Sequence, residues 1–177
     1  RAYFSRAPRA ARRRDNSDNI KSARFILETD RMPREDFACT HRLRVRWAEV
    51  DMQKIVFNGH YLTYIDTALA DYWRAIGLPY PEGYVEHYGS DIFLRKATVE
   101  YLGSARYDDE LDVLCRTAKL GRSSMTYLFE SWRNAVDLLI TAELIYVNAD
   151  PRTKKAVPLP DDLRRRVLGH EKLAPAQ

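Results

Sequence analysis

Cysteine is nearly absent from this chain. Cys39 and Cys115 are the only two in 177 residues, too few for the disulfide framework of a small secreted domain. Cys115 falls inside the strand-like run LDVLCRTAKL, where a small buried side chain is expected. A reducing, cytoplasmic setting fits both thiols. Long apolar runs are missing as well, and nothing approaches the roughly 20 residues that cross a bilayer as a helix. No spacing of His, Cys and Asp resembles a metal site, and no serine sits in a nucleophile elbow. Neither a metal nor a resident cofactor is therefore expected. Internal repeats and low-complexity tracts are also absent. What the chain does have is a hydrophobic content of 45%, enough for one substantial core and one domain.

Charge is unevenly spread. Residues 1–31 carry nine Lys/Arg against four Asp/Glu, with six Arg before the first acid, which leaves 20 against 21 in the rest. This first segment has few core-forming residues and is expected to be a basic, disordered extension ahead of a domain at 32–177. Three readings of it compete: a targeting peptide, a nucleic-acid-binding arm, or residues upstream of a start at Met32. The last is preferred, because MPREDFACTHRLRVRW reads as a polar lead into a strand. No helix-turn-helix pattern is visible in residues 1–40, which counts against the arm.

The hydrophobic period changes along the chain. In HRLRVRW, Leu43, Val45 and Trp47 alternate with Arg42, Arg44 and Arg46, a period of two that predicts a strand with one apolar face. From Asn58 onward, Leu62, Ile65, Leu69, Tyr72 and Ile76 recur at spacings of three and four, one stripe of an amphipathic helix. Asn58 is the expected N-cap, and Gly77 followed by Pro79 the expected stop. PYPEGYVEHYGSD is rich in turn formers and aromatics and reads as a loop that covers part of a pocket. Strand patterns follow at about 91–103, 109–119, 123–133 and 137–148, with Gly121 and Asn134 at turns between the later ones. LPDDLRRRVLG then has the charge order of a short helix. Consecutive strands after one long helix predict an α+β fold, an antiparallel sheet with a helix laid across one face.

Between the first strand and the long helix lies DMQKIVF, too short for another element and too apolar for an ordinary exposed loop. Asp51 opens it. An Asp at such a junction can be a turn or capping residue that satisfies backbone amides and nothing more. It can also be a reactive carboxylate, attacking a carbonyl or deprotonating a water while amides at the helix start polarise the carbonyl.

The segment VRWAEVDMQKIVFNGHYLTYIDTALADYW resembles the active loop and central helix of the hotdog-fold acyl-CoA thioesterases of the 4-hydroxybenzoyl-CoA thioesterase type. Their pattern is Asp-x-Asp-x-x-Gly-Ile/Val-Val, then an aromatic residue and a helix beginning near Asn-Tyr. The second Asp falls on Asp51, the aliphatic pair on Ile55 and Val56, the aromatic on Phe57 and the helix tyrosine on Tyr61. RKATVEYLGSARYDDELDV and LGRSSMTY resemble later strands and a turn of the same family. Two positions depart from the pattern: the first Asp is Glu49 and the loop glycine is Lys54. A glycine there permits positive φ, so Lys54 is strained if the loop keeps its shape.

The resemblance implies a sheet wrapped around the central helix, and a homodimer or homotetramer with active sites at the subunit boundary. It also implies hydrolysis of acyl-CoA or acyl-carrier-protein thioesters, coenzyme A being part of the substrate rather than a cofactor. The carbonyl would take a hydrogen bond from the backbone amide at Asn58, with Asp51 as nucleophile or general base and Tyr61 against the substrate. Asp66, on the helix, is the reserve carboxylate, because a related hotdog lineage uses one there. Arg122, Ser123 and Ser124, at a turn, could hold the coenzyme A phosphates, with Arg95, Lys96 and Arg106 as weaker choices. A hotdog hydratase shows a His five residues after its Asp, where this chain has Val56. The alternative function is a non-catalytic acyl-CoA-sensing module whose basic arm contacts nucleic acid.

Overall fold

The computed structural model describes residues 32–177; the readings made for residues 1–31 lie outside them. Five strands form one antiparallel sheet in the order β1-β3-β4-β5-β2. They are β1 (Cys39–Arg44), β2 (Asp91–Tyr101), β3 (Glu110–Leu120), β4 (Ser124–Arg133) and β5 (Asp137–Ala149). Helix α1 (His60–Ala75) lies against β1 and β3, and the short helix α2 (Asp161–His170) follows β5. The α+β reading and every predicted element are found. No helix among the described residues is long and apolar enough to cross a membrane.

The helix stripe is wider than predicted and departs from it at one position. Ile65, Leu69, Tyr72 and Ile76 are buried, but Leu62 is exposed, and Tyr61, Tyr64, Ala68 and Trp73 complete the buried face. A stripe set by aliphatic residues alone misses the tyrosines, whose rings bury while their hydroxyls find partners. Tyr72, fully buried, donates to Glu171 Oε1 at 2.7 Å and accepts from Thr117 Oγ1 at 2.8 Å. Tyr84, in the π-helical turn Glu82–Glu86 of the 79–91 segment, is equally buried and donates to Asn148 at 3.0 Å. This ring of aromatics around α1 is the centre of the core.

The end of α1 is as expected. Gly77 adopts φ 75°, its N–H donates to Arg74 O at 3.0 Å and the Leu78 N–H to Trp73 O at 2.9 Å, the paired bonds of a Schellman stop. Its start is not: the helix begins at His60 with Gly59 in the capping position, and no side chain caps it. Asn58 is therefore not an N-cap. The first amides are taken instead by carbonyls three residues back, His60 N–H to Phe57 O, Tyr61 N–H to Asn58 O and Leu62 N–H to Gly59 O.

The first strand also ends earlier than its alternation suggested. β1 stops at Arg44, and Trp47 opens a 3₁₀ turn (Trp47–Glu49) with 75% of its surface exposed, edge-on to Tyr107. At the other side of the sheet, β2 pairs, among the described residues, only with β5 and is largely exposed along its 11 residues.

Candidate functional site

The loop that carries Asp51 is a small hairpin. Val50 and Val56 form an antiparallel bridge. The Asp51 N–H donates to Ile55 O and the Lys54 N–H to Asp51 O, both at 2.9 Å. This closes a four-residue turn, Asp51–Lys54, whose last residue has φ 62°. The left-handed position thus exists in this chain, and a lysine occupies it, so the loop keeps the shape that calls for glycine. One carboxylate oxygen of Asp51, Oδ1, accepts the Gln53 N–H at 2.7 Å. The turn role and the reactive role are therefore compatible, since one oxygen organises the turn and the other needs no part in it.

Two further bonds tie the hairpin down. The Val56 N–H donates to Ala105 O and the Phe57 N–H to Glu49 O, each at 2.9 Å. The chain then turns into α1 at Asn58 and Gly59. Among the described residues, neither of their N–H groups has a hydrogen-bond acceptor. These are donors at the amino end of a 16-residue helix, where partial positive charge accumulates. The Asn58 carbonyl is occupied, by the Tyr101 hydroxyl at 3.1 Å. Tyr61 is buried and its hydroxyl accepts the Ala105 N–H at 2.9 Å. Burial raises the pKa of this phenol, against the lowering effect of that same hydrogen bond.

These groups share one cavity of about 310 Å³, lined by Asp51, Gln53, Ile55, Val56, Phe57, Asn58, Tyr61, Tyr101, Gly103 and Ser104. Its lining joins a carboxylate, the helix-start residue Asn58 and an apolar and aromatic wall, with no cation. Asp51, Asn58 and Tyr61, which the sequence singled out, are brought together here. Tyr101, Gly103 and Ser104 were missed. They come from the end of β2 and its continuation, and only the sheet order places that end beside the Asp51 hairpin.

Glu49, which stands at the first Asp of the loop pattern, proves to be a buried member of this region. Its side chain is 4% exposed. It accepts from the Arg46 N–H at 2.7 Å, from the Arg46 guanidinium, and from the Tyr64 hydroxyl at 2.8 Å. Burial alone would raise its pKa; the hydrogen bonds from Arg46 and Tyr64 outweigh it and hold the carboxyl below the usual carboxylate range. The loop pattern placed an acid at this position, but no local signal announces that it is buried.

The other candidates stand elsewhere. Asp66 does not line the cavity; it sits on an exposed part of α1 with the Tyr146 hydroxyl 3.5 Å from Oδ1. Partial loss of hydration raises its pKa against the pull of that bond. Asp71 is engaged with His41 at 2.6 Å and with Arg74. His60 rests edge-on to Phe57. The Arg122–Ser124 turn is at the opposite end of the sheet. Ser124 pairs with Val147 and Tyr101 with Ile140, and seven residues of β5 at about 3.3 Å each put roughly 23 Å between the two ends. Within one chain these phosphate candidates do not meet Asp51. Their backbone holds β5 and the segment after it instead, Ser123 O accepting from Asn148 N–H and Arg122 O from Leu159 N–H, both at 2.8 Å. The 79–91 segment walls a different cavity, about 440 Å³, between Gly77, Leu78, the 82–87 turn and Arg166. Among the described residues no cluster of His, Cys, Asp and Glu could hold a metal ion.

Comparison with known proteins agrees with this architecture. A protein of Aquifex aeolicus (strain VF5) named "Putative esterase" is 30% identical over 89 residues, 50% of this chain and 68% of that one. The structure of a thioesterase from Thermus thermophilus, complexed with coenzyme A and Zn, superposes with a TM-score of 0.68 at 26% identity over 78% of this chain and 98% of that one. A DHNA-CoA thioesterase from Staphylococcus aureus shares the fold, with a TM-score of 0.63 at 23% identity over 68% of this chain and 80% of that one. The sheet laid around α1 is thus the hotdog fold. The family model described as "Thioesterase-like superfamily" matches residues 45–167, a span that includes the Asp51 hairpin and ends within α2, and the chain belongs to that superfamily.

Proposed function

We propose that this protein hydrolyses acyl-CoA thioesters to free acid and thiol at the Asp51 cavity. The observation that carries the reading is that Asp51 shares one partly apolar cavity with Asn58, a helix-start residue whose N–H has no acceptor among the described residues. A thioester carbonyl placed there accepts from the Asn58 N–H, and the negative charge that grows on its oxygen is stabilised by a donor already in position. Asp51 then either attacks the carbonyl carbon, expelling the thiolate and leaving an acyl anhydride that water opens, or takes a proton from a water that attacks. Both routes consume one water and yield one carboxylic acid and one thiol. The aromatic and aliphatic wall suits an acyl group, with Tyr61 at its base.

The finer assignment to the 4-hydroxybenzoyl-CoA type rests on the loop pattern around Asp51, and coenzyme A as the thiol is supported by the coenzyme A complex of the Thermus thermophilus relative. The cavity has no cation for its phosphates. Among the described residues β2 ends the sheet with an unpaired, largely exposed edge, and a second copy adding to it antiparallel would bring its own Arg122–Ser124 end toward this cavity. We therefore assign the substrate phosphates to Arg122, Ser123 and Ser124 of a second copy in a homodimer. In that arrangement Arg122→Ala raises KM for acyl-CoA and leaves an N-acetylcysteamine thioester, which has no phosphate, unaffected. Asp66 remains the reserve carboxylate.

A thiol-release assay over acyl-CoA chain lengths and aromatic acyl groups tests the reading, run beside Asp51→Asn. Asparagine retains Oδ1 for the Gln53 N–H, so the turn survives while the negative charge is lost. The expected outcome is an unchanged melting temperature and a loss of at least about a hundredfold in kcat. Near-normal turnover in that variant would refute Asp51 as the reacting carboxylate, and equal loss in Asp66→Asn instead would move the role there.

A further inference from the structure

Resting on the assignment of Asp51 as the reacting carboxylate, we infer that Glu49 is a positioning residue for it: a buried acid that sets where the Asp51 turn sits relative to the amino end of α1. The geometry is specific. The Glu49 side chain receives the Tyr64 hydroxyl, which comes from the second turn of α1, at 2.8 Å. On the other side it takes the backbone N–H of Arg46 at 2.7 Å and the Arg46 guanidinium, both from the segment entering the hairpin. Its own carbonyl accepts the Phe57 N–H at 2.9 Å, from the segment leaving it. One residue thus joins the entry of the Asp51 hairpin, its exit and the helix that supplies the Asn58 amide.

The use of a buried charge for this purpose is itself informative. A surface hairpin can be closed by backbone bonds alone, and an acid with 4% side-chain exposure carries a desolvation cost that only saturated hydrogen bonding offsets. Here donors reach both oxygens, Oε1 from the Arg46 guanidinium and Oε2 from the Arg46 N–H and Tyr64. An amide in place of the carboxylate must turn an NH₂ group toward a donor, so Glu49→Gln breaks at least one arm. Tyr64→Phe cuts only the arm to the helix and leaves the Arg46 arm whole. It also leaves the ring in place to pack edge-on against Tyr61, 5.9 Å away between ring centres. Because the reaction needs carboxylate and amide held to well under an ångström, a loosened arm is read in kcat rather than in substrate affinity.

The test uses the full chain. Thiol release by Tyr64→Phe and Glu49→Gln is compared with wild type across pH 5–9, with amide hydrogen exchange measured on the same proteins. Positioning predicts a fall in kcat of about tenfold or more in each variant with KM within about twofold. The acid limb of the pH profile stays where it was, because the titrating carboxylate is unchanged. Exchange of the Asp51, Gln53, Lys54 and Phe57 amides should accelerate about tenfold or more while the Ile65–Trp73 amides keep their protection. Uniform acceleration through α1 would make Glu49 a general stability element and overturn the proposal, as would unchanged exchange in the hairpin. A pH profile that loses its acid limb in Glu49→Gln would make Glu49 the titrating base and overturn it equally. If Asp51→Asn proves active, the function assignment falls on its own, and the exchange result still decides whether Glu49 holds the hairpin to the helix.

Discussion

Replacing Lys54 with glycine is expected to stabilise the protein, although it removes a whole side chain. Lys54 has φ 62°, at the end of the turn that bears Asp51, a conformation that costs an L-residue about 1–2 kcal/mol. Glycine escapes that cost but enlarges the unfolded ensemble, a loss of about 0.5–1 kcal/mol. The net gain is about 0.5–1 kcal/mol, which for a domain of this size moves Tm by roughly 1–4 °C upward. Alanine separates the two contributions. It has the same steric conflict as lysine without the charge, so Lys54→Ala should leave Tm within about 1 °C of wild type. Urea unfolding and calorimetry on the three proteins give the comparison. A destabilised Lys54→Gly, or an alanine variant that matches glycine, would refute the argument: the first would mean that the backbone is not strained there, the second that the lysine side chain rather than its φ was the burden. Thiol release adds a functional reading, since a more flexible residue three positions from Asp51 should not raise turnover if the present turn is already the reactive geometry.

Tyr61→Phe leaves the Ala105 N–H without its buried acceptor, a loss of about 1–3 kcal/mol in urea unfolding; a change below about 0.5 kcal/mol would show that another acceptor takes over. Acid sensitivity should be traceable to Asp112, whose side chain is 8% exposed. Burial would raise its pKa, but the hydrogen bonds and charges of Arg42 and Arg34 outweigh this and lower it. A lowered folded value means that its stabilising contribution is complete above the ordinary aspartate value of about 3.9 and is lost as pH falls through the folded value. Asp112→Asn should therefore be less stable than wild type at pH 7, with the two urea midpoints converging below about pH 3; parallel midpoints down to that pH would remove Asp112 from the account.

Much of the molecule was legible from local pattern, and the reasons are local. A period of two in β5, where Ile140, Ala142, Leu144 and Tyr146 all prove buried, and a period near 3.6 in α1 follow from backbone geometry that each segment carries in itself. Gly77 announced its positive φ because few other residues adopt it without strain, and Asp51 stood out as a polar residue in an apolar junction. The Lys54 strain was foreseeable because a turn keeps its dihedral demands whichever residue fills it. What escaped was every feature that depends on a neighbour distant in sequence. Trp47 continues the β1 alternation yet faces water, because the chain has already left the sheet. Leu62 fits the helical stripe yet is exposed, while its neighbour Tyr61 is buried with its hydroxyl on the Ala105 N–H. Glu49 is buried beside α1, where the distant Tyr64 donates to it, and Tyr101 joins Asp51 only because β2 lies at the end of the strand order beside β5. The Arg122–Ser124 turn was rightly seen as a turn, but its distance from Asp51 is set by strand register. Periodicity and turn chemistry are properties of a few consecutive residues and survive in the bare sequence; burial of a charge and the meeting of a carboxylate with a helix end are properties of packing, and only the assembled sheet and helix decide them.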